Sequence, residues 1–209
     1  MAATQAGIRK GRKFEQVLDG AREVFMRDGF EGASVDDIAR VAGVSKATLY
    51  SYFPDKRLLF SEVARLECNR QADAALAVID MDAPVGAGLH QAADRVVRFF
   101  LSDFGTQVYR ICVAESHRFP DLGRRFYESG PALLRERLKY VLAAYVARGA
   151  LRIEDMDHAA DQFGALCKTD LFTRKLCGVP GETDEADIAH AVASVVEMFL
   201  ARYGTGRTG

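Results

Sequence analysis

The chain has 209 residues, of which 49% are apolar, so it can build a substantial core as one domain or two small ones. Only 18 glycines and 5 prolines interrupt it, which excludes a largely disordered protein. The formal net charge of −1 indicates nothing by itself about nucleic acid, but the charge is uneven: residues 1–60 carry +2 and residues 61–209 carry −3.

The cysteines and the apolar runs restrict the remaining classes. No cysteine belongs to a CxxC pair or has a histidine at ligand spacing, so no metal site and no cofactor are predicted. The N-terminus lacks the apolar core of a signal peptide, and no apolar run approaches the roughly 20 residues that cross a bilayer. We therefore expect a cytoplasmic protein that makes no membrane contact. Buried, reduced thiols are expected at Cys68, Cys112, Cys167 and Cys177.

Hydrophobic residues recur at helical spacing through almost the whole chain. A first helix is predicted from about residue 14 to the segment RDGF, where Gly29 can serve as a C-terminal cap. Ser34 opens a second helix, with Asp37 three residues later as an approximate capping box. A short helix follows, and Asp55 then opens a long one that runs towards residue 79.

The rest of the chain also follows a helical pattern, with no convincing strand alternation. The segment MDAPVGAG (81–88) is predicted to be a connecting loop. The fold class is therefore all-α, with a small three-helix N-terminal unit, a larger helical remainder and a long helix that joins them. Further helices are predicted at about 89–103, 105–118, 121–128, 131–148, 155–176 and 184–203.

The segment SVDDIARVAGVSKATLYSYF (34–53) predicts two helices joined by a tight turn. Ile38 and Leu49 lie on the inner sides of the two helices, and Gly43 stands where the chain turns sharply, which favours a residue without a Cβ atom. Ser45 can then cap the second helix by accepting a hydrogen bond from its first turn. This arrangement is a helix-turn-helix.

The outward residues of the second helix are short donors and acceptors, one cation and two phenols. Such a helix can enter a major groove about 12 Å wide, while Lys and Tyr reach phosphates. The basic run Arg9, Lys10, Arg12 and Lys13 can reach the flanking DNA backbone. The residues predicted to contact DNA are Ser34, Ser45, Lys46, Ala47, Thr48, Tyr50, Ser51, Tyr52 and Lys56.

Two consecutive segments, VLDGAREVFMRDGFEGA (17–33) and SVDDIARVAGVSKATLYSYFPDKRLL (34–59), resemble the TetR family of bacterial transcriptional regulators. The family often has Gly where this chain has Ala47, a mild departure within the recognition helix. Residues 115–167 resemble the AefR-like group of that family. The resemblance implies a homodimer with a four-helix interface built from the last two helices, and a small-molecule effector in the C-terminal domain. It also implies DNA contacts at Ser34, Ser45, Lys46, Thr48, Tyr50, Tyr52 and Lys56.

The predicted units are an N-terminal arm (1–9), a helix-turn-helix DNA-binding domain (10–54) and an effector-binding and dimerisation domain (55–209). The last predicted helix has two apolar stripes, one of which can face a partner while the other faces the core. Aromatic residues concentrate between positions 99 and 145, where a helical bundle can enclose an apolar cavity. Ligand contacts are predicted at Phe104, Tyr109, Cys112, His117 and Tyr140.

These patterns favour a ligand-responsive repressor that binds a palindromic operator as a dimer and is released by a small, largely apolar effector. An activator fits the same residues. The alternative is a helical small-molecule-binding or assembly module whose helix-turn-helix is only structural. An enzyme is disfavoured because Glu115 and His117, two residues apart on a helix, do not share a face, and no nucleophile or phosphate-binding motif accompanies them.

Overall fold

The computed structural model describes residues 11–179, 181 and 183–206, and these residues form helices connected by short loops, with no β-strand. The all-α prediction is therefore confirmed. An isolated β-bridge between Leu151 and Gly204 ties the C-terminal end back to the loop after residue 147. The helices of this part of the chain are α1 (Arg12–Gly32), α2 (Val35–Val41), α3 (Lys46–Tyr52), α4 (Lys56–Ala77), α5 (Val85–Leu101), α6 (Asp103–Glu115), α7 (Pro120–Ser129), α8 (Pro131–Ala147), α9 (Met156–Leu166), α10 (Asp170–Leu176) and α11 (Glu185–Tyr203).

Two hydrophobic clusters form the interior. The N-terminal cluster combines residues of α1 to α4 with Val108, Cys112 and Leu122 from α6 and α7. The C-terminal cluster combines residues of α5 and α8 to α11. Helix α4 contacts both, because Phe60 lies in the first cluster and Leu76 packs against the second. A displacement of α4 would therefore disturb the packing of both clusters.

Helix α1 breaks where the sequence predicts its end. Gly29 has φ +69°, a left-handed conformation that is strained for residues with a side chain, and one further helical turn follows to Gly32. Beside this break, the backbone N–H of Phe30 donates a hydrogen bond to Gln107 Oε1 in α6, over 3.3 Å. The end of α1 is thereby attached to α6.

Helix α5 begins at Val85, four residues earlier than predicted, so the loop 81–88 is shorter than the sequence indicated. Pro84 precedes the helix, where its fixed φ suits the first turn, and its carbonyl accepts hydrogen bonds from Ala87 N and Gly88 N. An added Cβ at Gly88 would lie 1.7 Å from the hydroxyl oxygen of Tyr145. The glycine that indicated a loop therefore permits close packing of α5 on α8.

The helix predicted over residues 155–176 is two helices, α9 and α10. Cys167 ends α9, and Lys168 N donates to Ala165 O over 3.0 Å in a tighter turn. Thr169 is extended (φ −63°, ψ 175°) and starts α10. The apolar spacing continues across this break, which is why the sequence did not reveal it.

Candidate nucleic-acid interface and cavity

The α2–α3 segment forms a capped helix-turn-helix. Ser34 Oγ accepts a hydrogen bond from Asp37 N (3.0 Å), and Ser45 Oγ accepts one from Thr48 N (3.1 Å). Gly43 between the helices has φ +64°, as the sequence predicted. The two caps fix where each helix begins, and the glycine permits the sharp turn between them.

Helix α1 passes so close to this turn that it leaves no room for a side chain at Gly20. An added Cβ at Gly20 would lie 2.7 Å from both the Cβ and the backbone N of Ala42. Such distances are well below normal van der Waals contact, so the backbones of α1 and α2 must separate to accept even a methyl group. The position of the helix-turn-helix on α1 therefore depends on this glycine.

Most of the residues predicted to contact DNA present a polar, accessible surface. Thr48 and Tyr52 are half-buried: the Thr48 hydroxyl lies 2.9 Å from Ser45 Oγ, and the Tyr52 ring packs edge-on against Phe14 with centroids 5.5 Å apart. Tyr50 is 48% exposed. The exposed members of the predicted set are Ser34, Ser45, Lys46, Ala47, Tyr50 and Ser51.

The charges beside this surface are paired but accessible. Lys46 forms an ion pair with Asp36 across the turn, and both side chains are mostly exposed. Asp37 accepts from Arg40 and Arg27, and these guanidinium groups lower the pKa of the Asp37 carboxyl. Exposed ion pairs are worth little in water, so Lys46 can exchange its carboxylate partner for a phosphate at low cost.

Lys56 is half-buried, unlike the exposed members of the predicted set. Its Nζ donates hydrogen bonds to Phe30 O (2.8 Å) and Ala33 O (3.0 Å) and lies 4.3 Å from the centroid of the Phe30 ring. The ammonium group thus holds the end of α1 against the start of α4 with two of its three N–H donors. Of the basic run, Arg12 and Lys13 are exposed in α1, whereas Arg9 and Lys10 lie outside the described residues.

A cavity of about 680 Å³ lies between α4 and α9 and opens to solvent. Most of its lining is aliphatic or aromatic, which suits an apolar ligand of drug-like size. The second half of α4, from Cys68 onward, forms one wall, and α5, α6, α7, α8 and α9 form the others. Characteristic lining side chains are Leu76, Val96, Phe99, Tyr109, Phe126 and Leu134.

The structure brings only one of the five predicted ligand residues to this cavity. Tyr109 lines it, whereas Phe104 and Cys112 pack in or against the N-terminal cluster. His117 is exposed, and Tyr140 is 65% exposed on α8. Helical spacing locates a residue on a helix but does not tell which neighbouring helices close around it. For the same reason Phe126 and Leu134, which line the cavity, were not among the predicted ligand residues.

The thiols are placed as predicted except for one. Cys68, Cys112 and Cys167 are buried, and burial raises the pKa of each to about 12, so they stay protonated at neutral pH. Cys177 is exposed, contrary to the prediction, because it caps α10 where the chain turns at Gly178. Within the described ranges no three metal-ligating side chains are grouped to hold an ion.

None of the helices in the described part of the chain is both long enough and apolar enough to cross a bilayer.

Comparison with known families gives two matches that together cover most of the chain. Residues 17–63 match the family described as "Bacterial regulatory proteins, tetR family". Residues 87–205, more than half of the chain, match the family described as "AefR-like transcriptional repressor, C-terminal domain".

Curated relatives match over a limited part of this chain. The HTH-type transcriptional repressor AcnR of Corynebacterium glutamicum is 34% identical over 68 residues, which are 32% of this chain and 36% of that protein. The HTH-type transcriptional regulator RutR of Escherichia coli K12 is 42% identical over 53 residues, 25% of each chain. The matched segments thus span about a third or less of these relatives.

Solved structures match over nearly the full length. A TetR-family transcriptional regulator from Mesorhizobium loti superposes with a TM-score of 0.81 and 27% identity, covering 95% of this chain and 100% of that one. The structure described as "Flavonoid-responsive Regulator FrrA" superposes with a TM-score of 0.71 and 34% identity, covering 94% of this chain and 100% of that one. Both resemblances include the helix-turn-helix and the bundle that holds the cavity.

Proposed function

The chain belongs to the TetR family of bacterial transcriptional regulators, and on that premise we propose that it is a repressor that binds a palindromic operator as a homodimer and is released by a small, largely apolar effector. The family and the similar proteins are transcriptional regulators rather than enzymes. The observation that carries the proposal is the course of α4, which packs under the helix-turn-helix at one end and lines the cavity at the other.

The first step of the proposed mechanism is the contact of α4 with a ligand. Residues from Cys68 to Ile79 form a wall of the cavity, whereas Leu59, Phe60 and Val63, one to three turns earlier, lie in the N-terminal cluster. A ligand that fits better when this wall is displaced will favour the displaced position of α4. A coupling of about 1–3 kcal/mol would weaken DNA binding by roughly 5–150-fold.

Helix α6 offers a second connection between the two parts. Tyr109 lines the cavity, and two residues earlier Gln107 accepts a hydrogen bond from Phe30 N. At the end of the same helix, Glu115 pairs with Arg57 of α4 over 2.8 Å, and Arg57 also pairs with Asp55. A shift of α6 at the cavity would therefore change the contact of α6 with the end of α1 and its ion pair with the start of α4.

The proposed division of the chain follows these connections. The helix-turn-helix unit comprises residues 10–54 after an arm of residues 1–9, and residues 55–209 comprise the effector and dimerisation unit. The two hydrophobic clusters support this division, although residues of α6 and α7 also contribute to the first cluster. A regulator that acts on chromosomal operators works in the cytoplasm, which is the proposed location.

We propose that the DNA surface consists of the exposed residues of α2 and α3, with Tyr50 and Lys46 on phosphates and the short side chains near base edges. Tyr50→Ala should weaken operator binding about tenfold, because one phosphate contact is lost while folding is unaffected. The operator is first identified by enriching random DNA duplexes that bind the protein. The affinity of the protein for the most enriched duplex is then measured at several salt concentrations.

The matched control is Tyr140→Ala, since Tyr140 is a tyrosine on α8 that is even more exposed than Tyr50. Its operator affinity should equal that of the wild type in the absence of effector. A palindromic enriched sequence that the protein binds with salt-dependent affinity supports the proposal. If no sequence is enriched and the protein carries no bound ligand, the helix-turn-helix is structural and the assembly module is the better function.

The proposed dimer interface uses the last helices, about residues 155–176 and 184–203. One apolar stripe of α11, which includes Val192 and Phe199, is buried within the chain. The neighbouring face carries Ala189, Ala193, Val196 and Leu200, of which Ala189 and Ala193 are exposed. Small residues allow a partner helix to approach closely. On α9, by contrast, the space beside Gly164 is filled by α8 of the same chain. An added Cβ at Gly164 would lie 3.3 Å from a Leu134 methyl carbon.

Ala193→Glu should therefore weaken the dimer at least about tenfold, since two symmetry-related carboxylates would meet near the axis without a partner. Sedimentation velocity over a range of concentrations measures this shift. Ala143→Glu, at an exposed alanine of α8, is the control and should leave the dimer unchanged. A dimer that withstands Ala193→Glu uses another face of the protein.

A further inference from the structure

Most side chains that line the cavity are apolar, but the charged ones are mainly basic. Among the described residues, one carboxylate lines it, that of Asp161, which pairs with Arg135 over 2.7 Å. Five basic side chains line the same cavity within the described part of the chain. They are Arg95, Arg98, Arg135, Arg137 and Lys168.

Two of these cations have no carboxylate partner among the residues that the structure describes. Arg98 pairs with Asp94 and Glu185, and Arg137 pairs with Asp73. Arg95 and Lys168 make no ion pair with any residue that the structure describes. Their positive charges are thus available at the cavity, whereas those of the other three are already compensated.

Lys168 is held where the apolar wall ends. Its Nζ lies 5.5 Å from the ring centroids of both Phe100 and Tyr109, two residues of the cavity wall. Contact with two aromatic rings restrains the ammonium group near the wall, and the rings do not neutralise its charge. A ligand body that lies against these rings would therefore place a terminal group within reach of Lys168.

Arg137 provides an independent indication of a missing acceptor. Its Nε is buried and makes no hydrogen bond with the described residues, although the other end of the guanidinium group reaches Asp73. Buried donors in native proteins almost always have a partner. Arg137 also lines the cavity, so this unpartnered donor belongs to a residue of the cavity wall.

We propose that the effector is an amphipathic acid, with an apolar aromatic or aliphatic body in the cavity and an oxyanion, such as a carboxylate, that pairs with Lys168 and Arg95. This inference rests on the proposed effector function of the cavity. Both cations are exposed at the cavity, so a neutral apolar ligand would form no ion pair with them. An anion pairs with them and gains charge-assisted hydrogen bonds.

The test compares matched acids and amides of equal shape. Carboxylates and carboxamides of naphthalene, biphenyl, flavone and dodecane skeletons are titrated into the purified protein by isothermal calorimetry. On at least one skeleton the acid should bind about tenfold or more tightly than its amide, and the same acid should release the operator. Equal binding of acid and amide on every skeleton would overturn the inference.

Substitutions of Lys168 and Arg95 test whether these side chains bind the anionic group. Lys168→Met and Arg95→Met should each weaken acid binding about fivefold or more and leave amide binding unchanged, whereas Lys168→Arg should retain acid binding. Lys139→Met is the control, because Lys139 lies on α8 outside the cavity lining. An acid preference that survives in both methionine variants would show that other groups bind the anion and would also overturn the assignment.

The outcomes separate this inference from the proposed function. If amides bind and release the operator as well as acids do, the effector cavity stands and only the charge requirement fails. If no acid or amide of the four skeletons binds, both the charge requirement and the effector role of the cavity fail. Operator binding by the free protein, measured beforehand, does not depend on either result.

Discussion

Gly20→Ala should destabilise the helix-turn-helix unit by about 3 kcal/mol, despite the higher helix propensity of alanine. The added methyl group would meet the Cβ, N and Cα of Ala42 at 2.7–2.8 Å. These atoms belong to the residue that caps α2 and cannot rotate away as a long side chain can, so the end of α2 must move and the packing of Ile38 against α1 is loosened. Urea unfolding followed by far-ultraviolet circular dichroism measures the loss.

Gly86→Ala is the matched control for this experiment. Gly86 is also helical, but the nearest atom to its added Cβ is Leu200 Cδ1 at 3.9 Å, an ordinary contact. This variant should be as stable as the wild type or more stable by up to about 1 kcal/mol. Since α2 positions α3, operator affinity should fall in Gly20→Ala and not in Gly86→Ala. An unchanged unfolding midpoint in Gly20→Ala would mean that α2 can shift without cost.

The helix-turn-helix was predictable because its signals are local. Ser34 and Ser45 each cap a helix through a backbone N–H three residues later, and Gly43 supplies the left-handed turn between them. Such contacts depend only on the order of neighbouring residues. The start of α4 was likewise predicted from Asp55, which accepts a hydrogen bond from Arg57 N. The site of DNA contact could thus be proposed residue by residue before the fold was known.

The cavity was not predictable in the same way, because six helices form its walls. Tyr109 and Tyr140 both belong to helices rich in apolar residues, yet the first lines the cavity and the second is exposed. Lys56 illustrates the same limit: its acceptors, Phe30 O and Ala33 O, lie more than 20 residues earlier in the chain. Long-range packing decides these positions, and periodicity in one helix contains no information about it.

Glu67 is a further residue whose environment the sequence did not reveal. It lies in the apolar pattern of α4 but is an ionised carboxylate that is only 1% exposed. Arg70 Nε and Gln71 Nε2 of the same helix donate to it over 3.0 and 2.8 Å, and Arg22 Nε of α1 donates over 2.9 Å. The carboxylate therefore links α1 to α4 inside the molecule, at the junction through which the proposed effector signal passes.

Lowering the pH from 5 towards 2 should remove about 3 kcal/mol of stability through this one group. Hydrogen bonds from Arg70, and then from Gln71 and Arg22, lower the pKa of Glu67 from 4.5 to about 2. Because the folded state has the lower pKa, its advantage is complete above the unfolded value near 4.5 and is lost as the pH falls through about 2. Roughly 2 kcal/mol of the loss should be visible by pH 3.

Glu67→Gln isolates this contribution, because the amide keeps the shape of the side chain and does not titrate. We expect the variant to be less stable at pH 7 by about 2–3 kcal/mol and to approach the wild type as the pH falls to 3. Glu136→Gln, at a mostly exposed carboxylate of α8, should instead run parallel to the wild type. Urea titrations at pH 7, 5, 4 and 3 measure the three curves. A stability difference between wild type and Glu67→Gln that stays constant over this range would mean that Glu67 has the same pKa in both states, and that the α1–α4 junction does not depend on its charge.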